Sequence, residues 1–258
     1  MPPLSCPLCC AADAYELPVA GKLYHRCRAC ELVWLDAAEH LDPAREKAVY
    51  DGHDNQVDDP RYRQFLQRAF GEVQRRLPPP ASGLDFGCGP GPALIAMGRE
   101  AGYQMAGYDK FYADEPELLA QQYDFITSTE VIEHIAEPRT VLAQLWDCLK
   151  PGGLLVLQTQ RVLSDERFKN WRYRHDPTHI VFFAEASFQV LAANWQAADD
   201  AAHTFEPVAL CALFRSIDIS LSARSWSSLQ LNELISHGDT HLRLAGPTAC
   251  RRPVARAS

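Results

Sequence analysis

Three glycines on alternate positions, Gly87, Gly89 and Gly91, constrain this chain more than any other feature. A short apolar stretch precedes them, and a second one follows at once. This order predicts a strand, a tight turn and a helix, because glycine is needed where the backbone turns sharply or approaches a ligand closely. An acid, Asp109, ends the next apolar stretch, where a carboxylate can accept hydrogen bonds from both hydroxyls of a ribose. The pattern therefore predicts a site for a ligand that contains a nucleoside.

The glycine spacing indicates which nucleoside ligand to expect. A dinucleotide fingerprint requires a third glycine three residues after the second, and counting from Gly89 that position is Pro92. The nicotinamide and flavin dinucleotides are thereby excluded. Gly-x-Gly-x-Gly after the acidic strand end at Asp85 instead resembles the class I S-adenosylmethionine-dependent methyltransferases. Residues 123–134 resemble that family's fourth strand and following turn, and residues 149–157 resemble its corner into the fifth strand.

The resemblance covers roughly residues 45–205 and implies a Rossmann-like, doubly wound α/β fold with a mostly parallel sheet. It also implies that S-adenosylmethionine is the cofactor and binds at the carboxyl ends of the parallel strands. The glycine turn would approach its sugar and amino-acid tail, Asp85 would bind its ammonium group, and Asp109 would hold its ribose. The cofactor-binding residues implied in this way are Asp85, Gly87, Gly89, Gly91, Asp109, Ser128, Thr129 and Glu130.

A structural role stays open for three of these acids. Asp85 could only cap the turn that follows it, and Asp109 could be a solvated acid at a strand end. Glu130 could be an acid favoured by the dipole of a following helix. The neighbouring Glu133 is expected to be a solvated acid on a helix face.

One segment departs from the family pattern. Only residues 110–122 separate the second strand from the strand that begins at Tyr123, where a full-length family member fits a helix, a third strand and another helix. So short a segment cannot hold these elements, and one edge of the sheet is expected to be trimmed. The acid that contacts adenine is therefore left open, with Asp114 and Glu115 as the nearest candidates.

Four of the nine cysteines form a pattern. Cys6 and Cys9, and then Cys27 and Cys30, make two Cys-x-x-Cys pairs with seventeen residues between them. This spacing predicts a four-cysteine zinc site, in which two turns each supply two thiolates to one ion. The alternative is two unrelated thiol pairs, one of them redox-active. Zinc would also supply stability that residues 1–40, with few apolar side chains, lack on their own.

Histidines are the candidates for a general base, which is needed only if the acceptor must lose a proton near neutral pH. His134 adjoins the cofactor motif, and His179 follows the fifth strand, where the family builds acceptor pockets, so both are catalytic candidates. A structural role is the alternative for each. Tyr50 and His53 could close over the methyl donor from the N-terminal side. The candidate substrate-binding residues are Tyr50, His53, His175 and Trp171.

Four regions are expected along the 258 residues. They are a zinc ribbon at residues 1–40, a helical cap segment at 41–80, the methyltransferase core at 81–215 and a poorly ordered tail at 216–258. Within them we expect strands at 32–35, 82–86, 103–108, 123–128 and 153–160, a helix that begins at Pro60, and further helices at 92–101 and 138–149. No apolar run approaches the roughly 18 residues of a membrane span, and the first residues lack the pattern of a signal peptide. We therefore expect a cytoplasmic protein with no membrane partner.

The leading interpretation is methyl transfer to a small-molecule acceptor. A net charge of −8 argues against a broad electrostatic grip on nucleic acid. The alternative is an RNA methyltransferase whose ribbon guides the RNA through a basic cluster of Lys22, His25, Arg26 and Arg28. A third interpretation, a zinc-dependent interaction module on an inert scaffold, is opposed by the intact glycine turn and by Asp109. The acceptor atom and the oligomeric state are left open.

Overall fold

The computed structural model describes residues 4–52, 55–197, 203–205 and 208–215. The expected tail at 216–258, with Cys250, lies outside these residues, as does His53. The described residues form two β-sheets and six α-helices. None of these helices combines the length and the apolar character that a membrane span requires.

The first sheet is antiparallel, and of the four patterned cysteines Cys27 lies at the end of one of its strands and the others lie in adjoining turns and loops. Strands β1 (Ala14–Val19) and β2 (Lys22–Cys27) form a hairpin, which the sequence pattern did not predict. Strand β3 (Val33–Leu35) pairs with β2, close to the expected strand at 32–35. The fourth strand, β8 (Val181–Phe182), comes from far along the chain and pairs with β3. The N-terminal segment therefore shares a sheet with a strand that follows residue 160, where the fourth strand of the second sheet ends in chain order.

Two helices connect the sheets. Helix α1 (Pro43–Tyr50) begins after Asp42, whose side chain accepts hydrogen bonds from the backbone at Ala44 and Arg45. Helix α2 (Pro60–Arg76) begins at the expected proline and is capped by Asp59. Its apolar face is buried and contains Leu66, Ala69, Phe70 and Val73. Through this face α2 packs against the second, larger sheet.

The second sheet has the order β5-β4-β6-β7-β10-β9 among the described residues. Strands β4 (Ser82–Phe86), β5 (Gln104–Tyr108), β6 (Tyr123–Thr129) and β7 (Leu149–Gln160) are parallel. Strand β10 (Val208–Phe214) runs antiparallel to β7 and to β9 (His203–Phe205). The mostly parallel α/β architecture is as expected. The carboxyl ends of β4, β5 and β6 meet at one edge, where open α/β sheets bind ligands.

The boundaries of α4 and β7 differ from the prediction. Helix α3 (Ala93–Glu100) lies close to its expected position, whereas α4 (Pro138–Asp147) ends two residues early. Strand β7 starts at Leu149 rather than at 153, because Leu149 pairs with Tyr123 before an irregularity in the register. Local hydrophobicity could not reveal this pairing, since the intervening Pro151-Gly152-Gly153 is typical of a turn.

Strand β5 forms an edge of the sheet. Residues 110–122 contain a short 3-10 helix (Pro116–Ala120) but no strand. Among the described residues no strand is added beyond β5, in agreement with the trimmed edge that the short segment requires.

The segment after β7 returns to the first sheet. It contains α5 (Asp165–Lys169), a 3-10 turn (Arg172–His175), β8 and α6 (Glu185–Trp195). One cluster of buried side chains includes Leu32 and Leu35 from the N-terminal segment, Leu155 from β7 and Phe182 from β8. The cysteine-bearing segment is thus packed into the core.

Candidate active site at the carboxyl ends of the parallel strands

A cavity of about 850 Å³ opens at the carboxyl ends of β4, β5 and β6. One wall is formed by the turn that contains Gly87 and Gly89, together with Asp109. Another is formed by Tyr50 and by the two histidines that the sequence singled out, His134 and His179. The remaining lining is largely apolar and includes Leu41, Tyr62, Phe65, Phe86, Ile135 and Val141.

Each of the three positions in the turn requires glycine for a different structural reason. Gly89 has a φ of +62°, and a Cβ placed there would meet no atom within 4 Å, because it would point into the open cavity. Gly87 also has a positive φ, of +79°, and a side chain there would collide with Val131. At Gly91 a Cβ would collide with the backbone of Asn55. Gly89 is therefore the position where the backbone is bare towards the cavity.

Asp109 is held by the backbone of the turn and of its own loop. Its Oδ2 accepts a hydrogen bond from the Gly89 N–H over 3.0 Å. Its Oδ1 accepts from the N–H groups of Phe111, at 2.8 Å, and Tyr112, at 3.2 Å. A carboxylate has about four lone-pair positions, so this acid can still accept hydrogen bonds from a ligand in the cavity.

Asp85 lies beneath the turn and is only 6 % exposed. Burial raises the pKa of its carboxyl to about 7, with a smaller contribution from the charge of Asp109, although Thr127 donates a hydrogen bond to it over 2.8 Å. Ser128 and Thr129 follow on β6, and their hydroxyls are buried without a hydrogen-bond partner among the described residues. Of these three predicted cofactor residues, Thr129 lines the cavity.

Glu133 is not a solvated acid, and that expectation was wrong. It is completely buried, because the 3-10 turn Ile132–His134 directs it under the segment that follows β7. Thr159 donates a hydrogen bond to Glu133 Oε2 over 2.9 Å, and Tyr173 donates to Oε1. Neither Glu133 nor Tyr173 was among the predicted site residues. The spacing Glu130-x-x-Glu133-His134 was a signal in the sequence that could have identified Glu133 as a site residue. The sequence contained no such signal for Tyr173.

Glu130 shares the Tyr173 hydroxyl with Glu133. Tyr173 Oη lies 2.9 Å from Glu130 Oε2, and it carries a single hydrogen for its acceptors. Glu130 has a φ of +53°, an unusual conformation for a non-glycine residue that points to a functional constraint. Burial raises the pKa of both glutamates, and the charge of Glu133 raises that of Glu130 further. The pair therefore holds protons more readily than ordinary acids.

His134 and His179 lie against each other, with ring centroids 4.7 Å apart. His134 Nδ1 donates to the carbonyl of Thr178 over 3.0 Å, and His179 Nδ1 donates to the carbonyl of Tyr173 over 2.7 Å. Since a carbonyl only accepts, each neutral ring carries its lone pair on Nε2. Burial lowers the pKa of His134. Both rings line the cavity.

The other predicted residues are more scattered. Tyr50 lines the cavity, and its ring meets that of His134 edge-on at 5.3 Å. Trp171 packs on Tyr173 behind the cavity wall, with ring centroids 5.0 Å apart. His175 is exposed and lies outside the lining, as do Asp114 and Glu115.

The four patterned cysteines converge at the first sheet. Sγ of Cys6 lies 3.5 Å from that of Cys30, and Sγ of Cys9 lies 3.5 Å from that of Cys27. All four sulfurs lie within 4.8 Å of one another. Four sulfurs at about 2.3 Å from a tetrahedral zinc would be about 3.8 Å apart, so the donor set fits the ion. The separations are far longer than the roughly 2.05 Å of a disulfide.

Comparisons with known proteins agree with this architecture. A family model described as a methyltransferase domain matches residues 30–198. The ubiquinone biosynthesis O-methyltransferase of Cereibacter sphaeroides is 32% identical over 123 residues, which cover 37% of this chain and 49% of that protein. The protein of the same name from Histophilus somni is 24% identical over 144 residues, covering 45% of this chain and 56% of that protein. The chain thus spans about half the length of these curated relatives.

Among solved structures, the chain is similar to a 1,6-didemethyltoxoflavin-N1-methyltransferase of Burkholderia thailandensis. The TM-score is 0.47 at 16% identity, with 79% of this chain and 99% of that chain covered. The assignment of the fold therefore depends on the family model and on the observed strand order.

Proposed function

The chain belongs to the methyltransferase-domain family, whose model matches residues 30–198, and from this premise we propose that it transfers a methyl group from S-adenosylmethionine to a small-molecule hydroxyl. The observation that carries the proposal is one cavity that joins the bare backbone at Gly89 and the Asp109 carboxylate to the acid–histidine cluster. The first pair suits an adenosyl donor, and the second suits an acceptor that must lose a proton. Methyl transfer would require both parts of the cavity, because the donor and the acceptor must be bound next to each other.

The residues around the glycine turn fit the donor. A side chain is absent where the cofactor's sugar and tail would lie, and Asp109 would accept hydrogen bonds from the ribose hydroxyls. Asp85 would face the cofactor's ammonium group through the turn. Burial raises the pKa of Asp85 to about 7. The positive charge of the ammonium group would favour the ionised form of this carboxyl. Thr129 and Glu130 border the cavity where the methionine part would bind.

The reaction needs positioning more than covalent help from the protein. When bound, S-adenosylmethionine would supply a methyl group on a sulfonium: as the acceptor's carbon–oxygen bond formed, the carbon–sulfur bond would break in line with it and leave its electron pair on sulfur, giving the neutral thioether S-adenosylhomocysteine. The hydroxyl proton passes to Nε2 of His134 or His179, which line the cavity and carry lone pairs there. Holding the two reactants in this geometry supplies most of the rate enhancement.

The acceptor that we propose is small, partly apolar and carries a hydroxyl group. Apolar side chains such as Leu41, Ile135 and Val141 line the cavity and would cover such a molecule. The names of the matched relatives, which are O-methyltransferases of ubiquinone biosynthesis, support oxygen as the acceptor atom.

RNA is not favoured as the acceptor. Three of the four residues in the predicted basic cluster are paired with acids. Arg26 pairs with Asp165 at 2.5 Å, Arg28 with Asp13 at 3.4 Å, and His25 with Asp36 at 3.0 Å. The charges of the two arginines are largely compensated within the chain, so they offer little to a phosphate backbone.

We also propose that Cys6, Cys9, Cys27 and Cys30 bind a structural zinc ion. Their convergence in a partly buried cluster supports four-coordinate binding without an open position. Ser187 donates a hydrogen bond to the carbonyl of Cys30 over 2.8 Å and joins this site to α6. Zinc would therefore stabilise the sheet that contains β8.

Calorimetry with S-adenosylhomocysteine tests the donor half of the proposal. We expect micromolar binding with one site per chain. Incubation with methyl-labelled S-adenosylmethionine and a panel of phenols, aliphatic alcohols and amines then tests the acceptor half. Label should pass to a hydroxyl compound. The proposal is wrong if zinc-loaded protein binds neither S-adenosylmethionine nor S-adenosylhomocysteine at millimolar concentration.

A further inference from the structure

Two residues just after the N-terminal sheet strands line the cavity. They are His40 and Leu41, which follow the four patterned cysteines and β3 in the chain. The imidazole of His40 is held in place, because its Nε2 donates a hydrogen bond to the carbonyl of Leu35 over 3.1 Å. A neutral ring held in this way keeps its lone pair on Nδ1. The cysteine-bearing segment therefore supplies one polar and one apolar side chain to the cavity wall.

Leu35 also holds a second stretch of the cavity wall. Its backbone N–H donates to the carbonyl of Ile180 over 2.8 Å. Beyond this bond, β3 pairs with β8, with Val33 opposite Phe182. Residues 177–180 all line the cavity. One residue of β3 therefore joins two stretches of lining that lie far apart in the chain.

The cysteine loops determine where β3 and its partner segment lie. Cys27 ends β2, and its N–H donates over 2.9 Å to the carbonyl of Leu32, directly before β3. The hydroxyl of Ser187 is fully buried and donates to the carbonyl of Cys30 over 2.8 Å. The segment 180–187 is therefore tied to the cysteine-bearing segment at both of its ends, Ile180 and Ser187.

The glycine turn depends on different contacts. The N–H of Gly87 donates to the carbonyl of Tyr108 over 2.8 Å, and that of Gly89 donates to the carboxylate of Asp109. Both bonds join the end of β4 to the end of β5, and neither involves the cysteine-bearing segment. A disturbance of the cysteine loops should therefore reach one side of the cavity and spare the other.

We propose that the cysteine-bearing segment forms the acceptor-binding wall of the cavity, with His40 in contact with the acceptor and Ser187 as a positioning residue. This inference depends on the proposed function and assigns its acceptor half to named residues. Nδ1 of His40 accepts a hydrogen bond from a polar group of the acceptor, and Leu41 covers its apolar part. The four-cysteine zinc ion is then required for binding the acceptor but not for binding the donor.

Removal of zinc with a chelator tests whether the two sides of the cavity are independent. Hydrogen exchange followed by mass spectrometry should become about tenfold faster or more in residues 177–183, because β8 pairs with β3, and should change little in residues 82–89. Calorimetry should give an affinity for S-adenosylhomocysteine within about threefold of that of the loaded protein. Label transfer from methyl-labelled S-adenosylmethionine to the hydroxyl compounds of the panel should fall at least tenfold and return when Zn²⁺ is added.

Two substitutions in the zinc-loaded protein keep the test decisive if the metal-free protein fails to fold. His40→Ala should raise the KM of the labelled hydroxyl compound at least fivefold, with zinc content and S-adenosylhomocysteine affinity unchanged. Ser187→Ala removes a hydroxyl that also accepts from the N–H of Ala184 over 3.0 Å, and it should raise the same KM more than it lowers kcat. Ser164→Ala is the matched control, because its hydroxyl caps α5 outside the cavity lining, and it should leave this KM unchanged.

S-adenosylhomocysteine binding separates failure of this inference from failure of the proposed function. Folded, zinc-free protein that transfers label as well as the loaded protein overturns the inference and leaves the methyltransferase proposal intact. An equal loss of S-adenosylhomocysteine affinity and of label transfer on zinc removal overturns it too, since zinc would then hold the whole cavity. An unchanged KM in both His40→Ala and Ser187→Ala has the same consequence. Zinc-loaded protein that binds no S-adenosylhomocysteine and transfers no label shows instead that the proposed function is wrong.

Discussion

The backbone N–H of Gly89 donates a hydrogen bond to Oδ2 of Asp109 across 3.0 Å. The bare turn and the acid at the neighbouring strand end are therefore one unit rather than two independent features. A ligand that approaches Gly89 meets a carboxylate whose position the same turn has already set. Substitutions at Gly89 and Asp109 therefore test where the donor binds.

Gly89→Val should reduce affinity for S-adenosylhomocysteine at least a hundredfold, because the new side chain would enter the cavity. Calorimetry measures the loss. Gly21→Val is a matched control: Gly21 has a φ of +81° and open space around it, but it lies in the β1–β2 hairpin. Both variants carry similar backbone strain, so only the first should lose affinity. Equal affinities would place the cofactor elsewhere.

Asp109→Asn should weaken binding of S-adenosylhomocysteine about tenfold or more, because one carboxylate oxygen becomes an amide that cannot accept from a ribose hydroxyl. Asp114→Asn serves as the control. That acid accepts a hydrogen bond from the Tyr108 hydroxyl over 3.3 Å and lies outside the cavity lining. The ribose assignment is wrong if the two variants bind the ligand equally well.

Asp85 should make the ligand-free protein less stable as pH rises. Burial raises the pKa of its carboxyl from 3.8 to about 7, so the folded state holds a proton that the unfolded state has already released in this range. Stability therefore falls as pH increases from about 4 to 7, by at most about 4 kcal/mol. Urea unfolding of the unchanged protein and of Asp85→Asn should give curves that diverge across this window. Parallel pH profiles would contradict the argument.

Tyr173→Phe should destabilise the protein by about 1 to 3 kcal/mol, because it leaves buried carboxyl oxygens of Glu130 and Glu133 without their shared donor. Chemical denaturation measures this cost. Tyr15→Phe is the comparison, since its hydroxyl donates to the partly exposed Asp165 over 2.9 Å, and its loss should cost under about 1 kcal/mol. A smaller effect at Tyr173 than at Tyr15 would show that the acid pair does not depend on this hydroxyl.

Elemental analysis should find about one tightly bound zinc per chain in protein purified without added metal. Cys27→Ser should lower that zinc content and the thermal midpoint together, because Cys27 is buried in the core shared by both sheets. Cys10→Ser changes a cysteine outside the group of four and should preserve both values. Unchanged zinc in Cys27→Ser would remove the zinc assignment.

The prediction was successful where the signal is local along the chain. The glycine turn, the apolar strands and the proline-initiated helix α2 each depend on neighbouring residues, and each lies close to its expected position. It was wrong for Glu133 and for the start of β7. In both cases the outcome depends on a partner far away: Tyr123 for Leu149, and the segment containing Tyr173 for Glu133.

By itself, the sequence determined the family, the order of the parallel strands along the chain and the spacing of the cysteine pairs, because turn chemistry and hydrophobic periodicity act over a few residues. Tertiary structure alone decided that β8 completes the N-terminal sheet and brings His179 against His134. It also decided that Glu130 and Glu133 share the single hydroxyl hydrogen of Tyr173 in a buried space. Burial and charge pairing arise only when distant segments pack together, so no local pattern could encode them.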